Sequence, residues 1–169
     1  MGVERATKET ALLVWNSMVG NDRMSRYYGY LAVHHKRSNR VWRWIAALLS
    51  SGSVIAFFLR EELDFLVPLA FVVAAGLNIW LAESKTTDSL AYCLDIHRQL
   101  SRLSVEWKNL WADVYQERDS VIRERWKDLE KQTSTVISEA PAKASLDEKL
   151  ATRSEEESYK YWEEVHAQA

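Results

Sequence analysis

Cys93 and His97 stand one helical turn apart, a spacing at which a thiolate and an imidazole can share a metal ion or act as nucleophile and base. The neighbouring residues complete neither chemistry. Cys93 falls on an apolar stripe, no third ligand or orienting group accompanies the pair, and a buried cysteine packs as a small hydrophobe. His34 and His35 are adjacent, so a helix sends them to different faces and they are poor joint metal ligands. The chain's five glycines are scattered, and it has no glycine-rich phosphate loop, no HExxH and no CxxC. No catalytic residue, metal or cofactor is expected.

A richer constellation is Arg26-Tyr27-Tyr28-Gly29-Tyr30 followed by His34-His35-Lys36-Arg37-Ser38-Asn39-Arg40. Aromatic faces stack bases while Lys and Arg neutralise phosphates. Arg26, Tyr27, Lys36, Arg37 and Arg40 are therefore candidate ligands for a nucleotide or short single-stranded nucleic acid. Basic and aromatic residues also gather just inside membranes to meet anionic headgroups, and composition alone favours that second role.

The elements that carry these residues are set by two uncharged apolar stretches, 45–59 and 65–82, separated only by Arg60-Glu61-Glu62-Leu63-Asp64. A crossing takes about 20 residues, at ~1.5 Å each, to span ~30 Å of hydrocarbon. The second stretch suffices. The first reaches that length once Val41, Trp42 and Trp44 join it, with Arg43 extending to the headgroups. A transmembrane hairpin over residues 41–82 is expected, the alternative being a soluble bundle with two apolar core helices. Residues 23–43 hold six cations and no acidic residue, so the N-terminal segment and the returning chain are placed in the cytoplasm. Trp42, Trp44 and Trp80 then gather at one interface. Cys93 is the only cysteine, so no intrachain disulfide forms. The whole reads as an inner-membrane protein with a cytoplasmic bulk.

Within the spans, Ala46, Ser50, Ser53 and Phe57 share one stripe, and Ala70, Ala74 and Asn78 another. Small residues allow close helix packing, which suffices for a simple hairpin. In the sharper reading several hairpins surround a water-filled path lined by Ser50, Ser53 and Asn78, with Phe57 as an apolar constriction.

The fold class is all-α: a membrane hairpin with long cytoplasmic helices in an oligomeric helical bundle or coiled coil. A first helix is expected over residues 3–18, with Ala11, Leu12, Trp15 and Val19 on one face, ending at Gly20-Asn21-Asp22. A second starts near residue 23 and runs into the membrane. Past the hairpin, Thr86-Thr87-Asp88 offers caps for a helix continuing to about residue 132. Cys93, Ile96, Leu100, Leu103, Trp107, Leu110 and Val114 alternate by three and four along it, a seam for another subunit or for the chain's own N-terminal helix. Residues 133–144, with Pro141, read as a linker. Ser145-Leu146-Asp147-Glu148 has capping-box spacing before a terminal helix carrying Leu146, Leu150, Tyr159, Trp162 and Val165. That apolar set is sparse, as in a mobile or partner-dependent element. The divisions are thus 1–40, 41–82, 83–132, 133–144 and 145–169. A net charge of −2 conceals a basic segment before the first span and an acidic C-terminal end, which could attract one another.

A helix with a tyrosine and paired histidines, then Lys-Arg and spaced arginines, leads into a tight two-span hairpin and a long returning helix. Over roughly residues 26–121 this resembles the SLATT family, two-transmembrane effectors of bacterial nucleotide-signalled antiphage and conflict systems. The resemblance implies a homo-oligomeric pore or membrane disruptor in the bacterial inner membrane, with a tetramer expected. It also implies control by a nucleotide or oligonucleotide made by a partner nucleotidyltransferase. A membrane-anchored coiled-coil scaffold and a holin-like lysis protein are the alternatives. The family pattern supplies no catalytic residue.

Overall fold

The computed structural model describes residues 6–50, 72–73, 75–80, 86–138 and 147–167. Its elements are helices: α1 (Lys8–Ser50), α2 (Thr86–Asp113), α3 (Asp119–Ser138) and α4 (Glu148–Ala167). Residues 75–80 are helical as well. The all-α class holds. The chain divides into two compact units, one built from Met1–Leu31 with Tyr92–Ala169, the other from Ala32–Ala91.

In the first unit α1 and α2 run antiparallel, since Trp15 meets Trp111, Asn21 meets Ser104, and Ser25 meets His97. The buried stripe of α1 is Ala11, Val14, Met18, Asn21, Ser25 and Tyr28, spaced by three and four as in a coiled coil. Leu12, expected on that stripe, is exposed. The expected stop at Gly20-Asn21-Asp22 is absent, and α1 continues through it. The reason is where the polar side chains go. Asn21 Nδ2 donates to Leu100 O at 3.1 Å and to Ser104 Oγ at 2.7 Å. Asp22 accepts from Arg26 Nε at 2.8 Å and from Ser158 Oγ at 2.9 Å. Groups that would cap a new helix are used sideways, and packing outweighs the local preference.

Opposite that stripe, the α2 seam is buried inside the monomer, with Leu100, Trp107 and Leu110 wholly buried. Ile96, Leu103 and Val114 join them. Of the two partners open to this seam, another subunit and the chain's own N-terminal helix, the second is packed on it. The single helix expected as far as about residue 132 is two: α2 ends at Asp113, a turn exposes Tyr115 to Arg118, and α3 begins at Asp119. Trp126 Nε1 donates to Ser17 Oγ at 3.0 Å, and Trp107 Nε1 to Thr133 Oγ1 at 3.3 Å, which fixes α3 against α1 and α2. Thr133 is thus a buried member of α3 and not the start of a linker.

Asp119 ties the start of α1 to the start of α3. Its Oδ1 accepts from the Thr7 amide at 3.0 Å and from Thr10 Oγ1 at 2.7 Å, and Oδ2 from Arg123 Nε at 2.7 Å. The Thr10 hydroxyl first, then the Thr7 amide and the Arg123 guanidinium, pull its carboxyl down to about 2.

The N-cap of α4 is Asp147, whose Oδ1 accepts from the amides of Lys149 at 3.0 Å and Leu150 at 3.3 Å. Ser145, expected to cap, lies outside the described residues. The helix buries Ser154, Ser158 and Trp162, with Trp162 edge-on to Trp15 at 5.5 Å, while Tyr159 and Val165 are exposed. Much of its docking is polar: Glu155 pairs with Arg23 at 3.2 Å, and the Tyr30 hydroxyl donates to Glu157. That bond, with Arg153 beside it, holds the Glu157 carboxyl below its ordinary range.

Candidate functional site

The basic and aromatic segment is divided between the units. Arg26 and Tyr27 belong to the first and are engaged there. The Arg26 guanidinium pairs with Asp22 and lies 5.3 Å from the Tyr161 ring centre, while Tyr27 is buried and its hydroxyl accepts the Asp147 amide at 3.2 Å. Neither is a free ligand group as the chain stands.

Lys36 and Arg40 fall in the second unit, where they line a groove of about 520 Å³ with Asn39, Arg43, Trp44, Ala47 and Leu90. Its α1 members are three or four residues apart, so one helix face presents them as successive neighbours. Arg37 does not line the groove. Lys36, Arg40 and Arg43 are exposed, and none has an ion-pair partner among the described residues. Their charge is uncompensated along the chain too, since no acidic residue occurs from residue 23 to residue 60. Asn39 and Arg43 are groove residues that sequence reasoning left out of the ligand set. Their four-residue spacing beside Lys36 and Arg40 is the signal that marks them.

At the level of the groove along α1, Trp42 packs edge-on against Trp80 at 5.7 Å, joining the start of the first apolar stretch to the end of the second. The large apolar side chains around them face outward: Val41, Trp44, Leu48, Val72, Val73, Ile79 and Trp80 are exposed. No helix among the described residues is long and apolar enough to cross a membrane. Residues 51–71, 74 and 81–85 of the expected hairpin and its exit lie outside the described residues. Ser53 and Phe57 are among them. Ser50 ends α1 with its side chain undescribed, and Asn78 is helical and exposed.

Cys93 and His97 are both engaged in the packing of α2. Burial pushes the Cys93 thiol up, away from the thiolate a nucleophile needs. His97 Nδ1 is committed to Ser25 O at 2.8 Å. His34 and His35 sit with ring centres 6.1 Å apart, and burial, then the neighbouring ring, lowers the His35 pKa. No group of three or more metal-ligating side chains occurs among the described residues.

No curated protein and no solved structure matches the chain. A family model does, over residues 21–142: SLATT_1, the SMODS and SLOG-associating 2TM effector domain 1. It is a family of effector domains and not of enzymes, and its two transmembrane segments correspond in number to the two apolar stretches. With most of its length matched, from the middle of α1 to just beyond α3, the chain belongs to the SLATT family.

Proposed function

We propose that this protein is a regulated pore-forming effector of the bacterial inner membrane. Residues 41–82 cross the bilayer twice, and several copies assemble their hairpins around a conducting path. The observation that carries this reading is the Trp42–Trp80 contact, set among outward-facing apolar side chains in a chain of a two-transmembrane effector family. Indole rings at one end of a closed hairpin suit a membrane–water interface, and apolar surface of this extent calls for lipid or a partner. Since the α2 seam is used within the monomer, subunit contacts fall to the hairpins, where Ser50, Ser53, Phe57 and Asn78 remain the candidate lining. A nucleotide or oligonucleotide from a partner nucleotidyltransferase is the proposed regulator.

Purified protein reconstituted into liposomes should release a trapped ion indicator, with the rate altered by the partner enzyme's product. Absence of release with and without that product would refute the pore. Replacing residues 41–82 by an unrelated hairpin should abolish release and cellular activity together. Retained activity would mean that the hairpin only tethers the bundle. Asn78→Leu should change conductance without changing assembly, and unchanged conductance would remove Asn78 from the path.

A further inference from the structure

We infer that the groove beside Lys36, Arg40 and Arg43 binds an anionic phospholipid, taking its phosphate at the cations and the start of its acyl chains against Trp44 and Ala47. The inference rests on the membrane placement of residues 41–82 proposed above. Lining residues change character in order along α1: Lys36, Asn39, Arg40 and Arg43 come first, then Trp44 and Ala47. At ~1.5 Å per residue the polar part extends over roughly 10 Å and the whole lining over roughly 16 Å. Phosphate chemistry suits the first part. Arg40 and Arg43 are neighbours on one helix face and offer planar donor sets to phosphate oxygens, with Lys36 one turn before Arg40 and the Asn39 amide between.

Inorganic phosphate would use the cations and leave the apolar wall unfilled, and a nucleotide would reach Trp44 with its base but leave Ala47 uncovered. An amphiphile fills both. The apolar wall also continues in sequence directly into the uncharged stretch 45–59, so the chains of a bound lipid would lead into the bilayer and away from water. No carboxylate competes for the cations within the described groove lining. The aromatic wall is a tryptophan, the side chain best suited to the headgroup level.

The test is native mass spectrometry of the full-length protein in mild nonionic detergent. Phosphatidylglycerol and phosphatidylcholine with identical acyl chains are compared by titration. Phosphatidylglycerol should be retained in preference. At about fivefold per cation, Arg40→Gln with Arg43→Gln should weaken its retention about 25-fold. The Arg40→Lys with Arg43→Lys pair, which keeps both charges and loses the planar donor sets, should weaken retention less than the double glutamine variant, and Arg102→Gln, an exposed cation elsewhere on α2, should leave it unchanged. Equal retention of the two lipids, or unweakened binding by the double glutamine variant, would overturn the inference. So would ATP binding that is lost in that variant while phosphatidylglycerol binding persists, since the groove would then serve a soluble phosphate. Because retention is read without ion flux, its failure leaves the pore reading standing, and lipid retention without flux would remove the pore alone.

Discussion

Gly20 and Gly29 lie on the same helix, and the same substitution at each should move stability in opposite directions. Alanine in a helix interior is favoured over glycine by about 1 kcal/mol. At Gly20 nothing lies within 4 Å of a new methyl group, so Gly20→Ala should give that gain undiminished, about 1 kcal/mol. At Gly29 a methyl group would meet His97 Cε1 at 3.2 Å and Nδ1 at 3.3 Å. The ring cannot retreat without cost, since Nδ1 donates to Ser25 O at 2.8 Å and the Ser25 hydroxyl lies 3.3 Å from the same nitrogen. Overpacking of this kind costs about 1–3 kcal/mol, which exceeds the helix gain and leaves Gly29→Ala destabilising by about 1 kcal/mol. The two variants should therefore differ by about 2 kcal/mol in guanidinium unfolding followed by tryptophan fluorescence. In a His97→Ala background the obstacle is gone, and Gly29→Ala should become stabilising, as a double-mutant cycle would report. If Gly29→Ala stabilises the unaltered protein as much as Gly20→Ala does, α1 and α2 do not approach as described and the reasoning fails.

Acid should expose the role of Asp119. Its folded pKa of about 2 lies below the ordinary 3.8, so its contribution is complete above the ordinary value and is lost as pH falls through the folded one. The urea midpoint should fall between pH 4 and pH 2, and Asp119→Ala should lower it at neutral pH while flattening that acid limb. In the core, Trp107→Ala should cost about 3–5 kcal/mol, enough to be seen as loss of the cooperative unfolding transition. Thr133→Val, which leaves the Trp107 indole N–H without its acceptor, should cost about 1–3 kcal/mol in the same assay. Tyr30→Phe removes the donor to Glu157 and should speed amide hydrogen exchange in α4 by about two- to tenfold, leaving α2 unchanged.

The long periodic pieces of this fold were legible because apolar spacing reports burial directly. The seam from Cys93 to Val114 reads off the sequence, and every residue named on it is buried. Which of its two offered partners the seam packs against was not legible, because the stripe on α1 is interrupted by Asn21 and Ser25. These are polar residues that also favour caps and turns, and sequence alone ranks the local preference first. Only the acceptors across the interface, Leu100 O and Ser104 Oγ, show that Asn21 belongs inside. The α2–α3 break was hidden for a different reason: residues 114–118 contain neither glycine nor proline, and only the shift of apolar face after Glu117 betrays it. In the candidate site, Lys36 and Arg40 were legible as phosphate ligands, whereas Leu90 comes from a different helix that no local pattern could connect to them.

One compact unit is assembled from Met1–Leu31 and Tyr92–Ala169, with the remainder of the chain inserted between. During translation the first part of α1 therefore leaves the ribosome well before its partners exist. At ~5–20 residues per second that interval lasts several seconds, during which the intervening hydrophobic residues must reach their own destination. The buried polar residues of α1, Thr10, Asn21 and Ser25, then have a second use. They keep an orphaned surface wettable while it waits, and they become specific contacts once α2 and α3 arrive.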